Sequence, residues 1–145
     1  MIQITEPLTD SEFDEYYNLR WCILRKPLGL EKGTEKDELE KDSIHKIVKY
    51  NNVIVGIGRM HFNDNDVAQI RYMAVSKSSR GMGFGKLIVD NFIEISKNKN
   101  ISKIILYARE SVIEFYQKLG FNKIKKAHRL KGVQHFLMEM KNNYE

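Results

Sequence analysis

Three glycines at alternate positions, Gly81, Gly83 and Gly85, sit between two cations in the run Ser79-Arg80-Gly81-Met82-Gly83-Phe84-Gly85-Lys86. The run follows Ile70-Arg71-Tyr72-Met73-Ala74-Val75, which reads as a buried strand. It opens a segment in which Phe84, Leu87, Ile88, Phe92 and Ile95 recur at helical spacing. Glycine lets the chain turn tightly and places no Cβ against a ligand. The first turn of the following helix supplies amides without intrahelical partners and the positive end of a dipole. A strand, a glycine turn and a helix in this order make a cradle for an anion, phosphate above all. Two phosphate loops are excluded by spacing: Gly-x-x-x-x-Gly-Lys-Ser/Thr is absent, and Gly-x-Gly-x-x-Gly fails because position 86 is Lys. What remains is Arg80-x-x-Gly83-x-Gly85.

The elements that must position this loop follow from composition and periodicity. A chain of 145 residues, 42% hydrophobic and 30% charged, reads as one globular domain spanning 1–145. No run approaches the ~18 apolar residues that span a bilayer. The start, Met1-Ile2-Gln3-Ile4-Thr5-Glu6, lacks the basic and apolar segments of a signal peptide. The single cysteine, Cys22, makes no internal disulfide, which fits a cytoplasmic location, and it reads as a small buried residue. The formal charge of +5 is unevenly spread. Between 97 and 131, ten Lys/Arg face only Glu110 and Glu114, whereas 27–42 holds six acids against three lysines. The basic half suits a polyanionic ligand and the acidic segment a cationic one, against a reading of both as solvated surface. Nucleic acid is not an expected partner, since few aromatics interleave with the lysines and no nucleic-acid motif is present.

In chain order, residues 1–5 alternate as a strand, and Thr9 with Glu12 forms a capping box. The helix behind it turns Phe13, Tyr16, Tyr17, Trp21 and Leu24 inward, places Arg20 as a surface or packing residue, and stops near Arg25 before Pro27. Pro27, Gly29 and Gly33 break the next segment, where a short helix near 36–41 is the only regular element expected. So long a loop in a compact domain is a candidate for the acceptor side of a site. Ile44–Tyr50 and Val53–Phe62 read as a hairpin turned at Asn51-Asn52, the second strand central because both its faces are apolar. A turn at 63–66 leads to a strand at 67–75, then the glycine loop and its helix. A strand at 101–107 precedes a second capping box, Ser111 with Glu114. The helix it opens carries Val112, Phe115, Tyr116 and Leu119 on one stripe, with Gly120 at its C-terminus. Strands at 121–126 and 133–140 close the chain, joined through 127–132.

Arg80-x-x-Gly83-x-Gly85 resembles the pyrophosphate loop of the GNAT superfamily of N-acetyltransferases, Arg/Gln-x-x-Gly-x-Gly/Ala. The stretch MAVSKSSRGMGFGKLIVD resembles that family's strand–loop–helix block through most of its length. ARESVIEFYQKLGF, at 108–121, is similar to the family's Ala-x-x-Phe-Tyr-x-x-x-Gly-Phe block, with Arg109-Glu110 where the family often has Asn near the helix start. Shorter likenesses at the ends, NLRWCILRKPLG and LKGVQHFLMEM, are similar to the ElaA-like branch.

The resemblance implies an α/β fold: a mixed, mostly antiparallel central sheet flanked by about four helices, with coenzyme A in the V where two central strands diverge. It implies transfer of an acetyl group from acetyl-CoA to a primary amine of a small molecule, peptide or protein, by direct attack on the thioester. No metal is implied, and the four histidines and one cysteine show no metal-ligand spacing. Arg80, Gly81, Met82, Gly83, Phe84, Gly85 and Lys86 would hold the pyrophosphate. A backbone amide of Met73, Ala74 or Val75 would polarise the carbonyl, and Arg109, Phe115 and Tyr116 would line the coenzyme. Tyr116 stands at the family's general-acid position and would protonate the thiolate.

The general base stays open between His45 and His135, whose imidazoles titrate in the right range, as does that of His61. Glu35, Asp37 and Glu38 acting through water are the alternative, because Gln69 and Arg71, on the strand before the loop, accept no proton at neutral pH. Arg71 would favour an acceptor with a carboxylate, and the acidic loop a cationic one. A homodimer is left open. A CoA-binding regulatory module without turnover is the rival reading.

Overall fold

The computed structural model describes residues 1–64 and 66–142. In chain order they form β1 (Ile2–Thr5), α1 (Asp10–Leu24), β2 (Ile44–Tyr50), β3 (Val53–Phe62), β4 (Val67–Val75), α2 (Phe84–Asn98), β5 (Lys103–Arg109), α3 (Ile113–Lys118), β6 (Asn122–Leu130) and β7 (Val133–Lys141). The strands hydrogen-bond in the order β1-β2-β3-β4-β5-β7-β6. Val67, Ala68 and Gln69 of β4 pair in parallel with Lys103, Ile104 and Ile105 of β5. The β1–β2, β2–β3, β5–β7 and β6–β7 pairs are antiparallel, so the sheet is mixed and mostly antiparallel as expected.

Three α-helices flank it among the described residues, not about four. Segment 27–42 holds only 3-10 turns at Lys26–Leu28 and Glu40–Asp42, and the helix expected near 36–41 does not form. Side chains there compete with a helical ladder: Asp37 Oδ1 accepts from the Leu39 amide at 2.9 Å, and Glu40 Oε2 from the Asp37 amide at 3.0 Å.

The chain divides into two compact units: Met1–His61 with Tyr72–Phe92, and Phe62–Arg71 with the chain from Ile93. In the first, α1 starts on the expected capping box. Thr9 Oγ1 accepts from the Glu12 amide at 3.0 Å, and Glu12 Oε1 from the Thr9 amide at 3.4 Å. Tyr16 of α1 joins Ile47, Ile57 and Ala74 in a buried cluster. Phe84, Ile88, Val89 and Phe92 form the buried stripe of α2. That helix approaches β3 over Gly58, where an added Cβ would lie 2.5 Å from Met73 Sδ and 2.8 Å from Ile88 Cγ2.

In the second unit, Ile104, Leu106 and Ala108 alternate inward along β5 and are buried, as are Ile113, Tyr116, Phe121 and Met138. β5 starts two residues later than expected because Ile101 closes the end of α2, its amide bonding Ser96 O at 2.9 Å. Ser111 does not cap α3: a 3-10 turn, Glu110–Val112, intervenes, and the helix starts without a side-chain cap. The inward stripe is therefore Ile113 and Tyr116, while Phe115 is 36% exposed. The β6–β7 connection is tighter than expected, a two-residue turn at Lys131 and Gly132, both with positive φ. The turn expected at 63–66 includes Asn65, which lies outside the described residues.

Candidate functional site

The glycine loop leaves β4 through a 3-10 turn, Lys77–Ser79, and enters α2 at Phe84. Gly81 and Gly83 have φ of 82° and 83°, a region costly for any residue with a Cβ. Chain neighbours aside, no described residue lies within 4 Å of where a Cβ would stand at either, so the cradle is open on that side. The first α2 hydrogen bond runs from the Leu87 amide to Gly83 O at 3.1 Å, leaving the amides of Phe84, Gly85 and Lys86 without intrahelical partners. Arg80 Nε donates to Val75 O at 3.3 Å and its side chain is exposed. Lys86 pairs with Asp90 at 2.6 Å on the exposed helix face, which offsets its charge locally. These features fit a diphosphate held by main-chain donors.

β4 is kinked at Tyr72, whose φ of 58° is unusual for a bulky residue inside a strand. The next three residues, Met73, Ala74 and Val75, are those whose amides the sequence reading places near the thioester. Around the kink lies a buried polar network that the sequence did not disclose. Arg20 and Arg59 are both wholly buried. Arg59 holds Asp37 through two bonds, Nη1 to Oδ1 at 2.6 Å and Nη2 to Oδ2 at 2.9 Å, and also reaches Glu40 Oε2 at 2.7 Å. Arg20 donates to Glu40 Oε1 at 3.0 Å, to Glu35 O at 2.9 Å and to Tyr16 Oη at 2.7 Å. Glu40 thus bridges the two guanidinium groups. Of the two positions expected for Arg20, surface or packing, the structure shows the buried one: its charge is neutralised from the loop rather than by water. The available signals were an arginine inside the apolar run of β3 and an acid-rich loop able to neutralise it.

The same network bears on three of the expected proton acceptors. His45 Nε2–H donates to Glu40 O at 2.7 Å, and its Nδ1 accepts from the Tyr16 hydroxyl at 2.7 Å, so both ring nitrogens are engaged. Burial pushes the imidazole pKa down, against the upward pull of Glu40. Glu35 is buried with a carboxylate oxygen accepting from the Gly33 amide at 2.7 Å, and Asp37 is spent on Arg59. Glu38 is exposed, as is Arg71.

A pH effect follows. The folded-state pKa of His45 lies below the ordinary value of about 6.5, so on acidification the unfolded chain takes the proton first. Stability from this group is present above about pH 6.5 and lost below it. The melting temperature of the wild type is expected to fall between pH 7 and 5, and that of His45→Asn to fall less. Equal slopes would contradict a buried neutral imidazole.

In the second unit, Arg109 ends β5 directly opposite His135 on β7. Cross-strand partners share a face of the sheet, and here it is the face opposite buried Ala108. His135 Nδ1–H donates to Val133 O at 3.0 Å, which fixes the tautomer with the lone pair on Nε2. Its ring stacks on His128 at 4.7 Å. A cleft of about 470 Å³ is lined by Arg109, Glu110, Ser111, Val133 and Gln134. Gln134 braces the hairpin through the carbonyls of Ala127 and His135. Arg109 makes no side-chain hydrogen bond among the described residues, and its charge eases ionisation of Tyr116. Tyr116 is buried against Phe115 and Phe121. Burial is the larger effect and pushes its phenol well above the ordinary range, so the group stays protonated at neutral pH. Among the described residues no three His, Cys, Asp or Glu side chains converge as metal ligands, and no helix is long and apolar enough to cross a membrane.

Known proteins agree with this architecture. The chain is 31% identical over 133 residues to an acetyltransferase-named protein of Bacillus subtilis (strain 168), covering 90% of each. The structure of Escherichia coli ElaA superposes with a TM-score of 0.82 at 21% identity, over 97% of this chain and 99% of that one. A GNAT family acetyltransferase from Elizabethkingia anophelis, solved with acetyl-CoA bound, gives a TM-score of 0.76 at 18% identity, over 97% and 98% of the two chains. The model of the acetyltransferase (GNAT) family matches residues 10–121, which include both the glycine loop and the Tyr116 helix, and the chain belongs to that family.

Proposed function

We propose that this protein transfers an acetyl group from acetyl-CoA to a primary amine of a small molecule or peptide. The observation that carries the reading is the open cradle at the start of α2. Gly81 and Gly83 hold the left-handed backbone, and the amides of Phe84, Gly85 and Lys86 have no helical partner. Those amides bind the diphosphate, with Arg80 adding charge at the rim. Acetyl-CoA supplies the thioester carbon that the amine attacks. An amide among residues 73–75, following the kink, donates to the carbonyl oxygen as negative charge develops there. His135 Nε2 takes a proton from the amine nitrogen as its bond to carbon forms. Tyr116 gives its hydroxyl proton to the sulfur as the C–S bond breaks, and Arg109 lowers the cost of the phenolate left behind. The products are the N-acetylated amine and free CoA.

His45 is not assigned as the base, because its Nε2 carries the proton donated to Glu40 O and its Nδ1 lone pair already accepts from the Tyr16 hydroxyl. That same commitment of His45, Glu35 and Asp37 favours the second reading, a module that binds CoA without turnover. Incubating the protein with acetyl-CoA and a panel of amines, reading thiol release, separates the two. Amine-dependent release supports the enzyme, and CoA binding with no release for any amine supports the module. Within the enzyme reading, His135→Asn is expected to flatten the acidic limb of the pH profile of kcat/KM. An unchanged limb would remove His135 as the base.

A further inference from the structure

We propose that Arg20 and Arg59 are positioning residues for acyl transfer: together they clamp the ring of Tyr72 and so fix the backbone amides that follow it in β4. The inference rests on the acetyltransferase reading and adds to it a device that controls the carbonyl-polarising donor from outside the reacting centre.

The clamp has two parts. The Arg20 guanidinium lies 4.1 Å from the Tyr72 ring centroid and that of Arg59 lies 4.8 Å from it. The faces of an aromatic ring attract cations, and more so where water is absent. Both arginines are wholly buried and Tyr72 is 6% exposed, so these contacts are dry. The second part holds the guanidinium groups themselves. Asp37 and Glu40 supply two carboxylates to the two cations, and Glu40 reaches both. Among the described residues neither arginine Nε has a hydrogen-bond partner, so the orientation of each rests on its terminal nitrogens and on the ring.

Two arguments separate positioning from mere stability. Buried ion networks are poor stabilisers, because desolvation offsets most of the attraction, and apolar replacements often serve as well. The network is also built around a strained residue. A tyrosine at φ 58° inside a strand persists only where its surroundings over-determine it, and such strain gathers at functional positions. A left-handed residue turns the chain out of its extended path and so sets where the groups after it point, here the amides at 73–75. Asp37 and Glu40 belong to the loop between α1 and β2, so the clamp also ties that loop to the kink.

The test uses Tyr72→Leu, which keeps bulk and removes the ring, Tyr72→Phe, which keeps the ring, and Arg59→Lys, which keeps charge and loses the planar fork. Each is measured at a temperature where circular dichroism shows it folded. Amide hydrogen exchange at 73–75 is expected to quicken about tenfold in Tyr72→Leu and Arg59→Lys and to stay near wild type in Tyr72→Phe. With acetyl-CoA and an active amine, kcat should fall about 10- to 100-fold in the first two, KM for acetyl-CoA should stay within about twofold, and Tyr72→Phe should restore kcat. Unchanged exchange at 73–75 in folded Tyr72→Leu overturns the clamp, as does a kcat equal to wild type. Where the wild type turns over no amine, the acetyltransferase reading fails by itself, and the exchange measurement still decides the clamp.

Discussion

Replacing Tyr116 with Phe is expected to lower kcat about a hundredfold while leaving CoA affinity within about twofold of wild type. The substitution removes one oxygen from a side chain that packs against Phe115 and Phe121, and no hydrogen bond to another described residue is lost with it. Folding should therefore be spared, which makes the kinetic effect interpretable. The expected size is that of a general acid acting on a leaving group. Burial keeps the phenol protonated through the neutral range, so the acid is present at every pH where the amine reacts. The variant should also lose no affinity for the diphosphate, which is held by main-chain amides. Single-turnover measurement of thiol release checks this. A kcat within about threefold of wild type would show that solvent protonates the thiolate unaided.

Asp37→Ala is expected to cost about 3–5 kcal/mol of stability, read by urea unfolding, because it leaves the Arg59 guanidinium buried and short of one of its two carboxylates. The comparison that gives this number meaning is Asp90→Ala, which breaks the exposed pair with Lys86 and should cost well under 1 kcal/mol. Both ion pairs have N–O distances of 2.6 Å, so distance alone does not rank them; exposure does. Equal losses in the two variants would mean that water reaches Arg59.

The loop and the Tyr116 helix were legible in the sequence because their chemistry is local. A glycine turn between a strand and a helix, and an aromatic pair before a Gly-Phe, are each decided within about a dozen neighbours. Most strand bounds were legible for the same reason, since a period of two and an Asn51-Asn52 turn are local signals. The buried network was not, because its members are far apart: Arg20 on α1, Asp37 and Glu40 in a loop, Arg59 on β3 and Tyr72 on β4. A charge count along a segment cannot tell an acid aimed at solvent from one aimed at a buried guanidinium. The acidic loop therefore read as a magnet for a cationic acceptor, whereas two of its acids are consumed internally. The missing helix near 36–41 has the same origin, side chains bonding the backbone that a helix would need. The Ser111 box failed for a different reason: leaving β5 through a 3-10 turn moves the helix start to Ile113 and turns Phe115 outward.

Titration calorimetry of CoA into the wild type and into Gly83→Val bears most directly on the cradle. At φ 83° a β-branched residue forces the loop out of its left-handed turn and moves the α2 amides. One site per chain is predicted for the wild type, with affinity lowered at least about tenfold in a Gly83→Val protein whose circular dichroism is unchanged. No heat of binding in the wild type, or equal affinity in the two proteins, would contradict a diphosphate held by the start of α2.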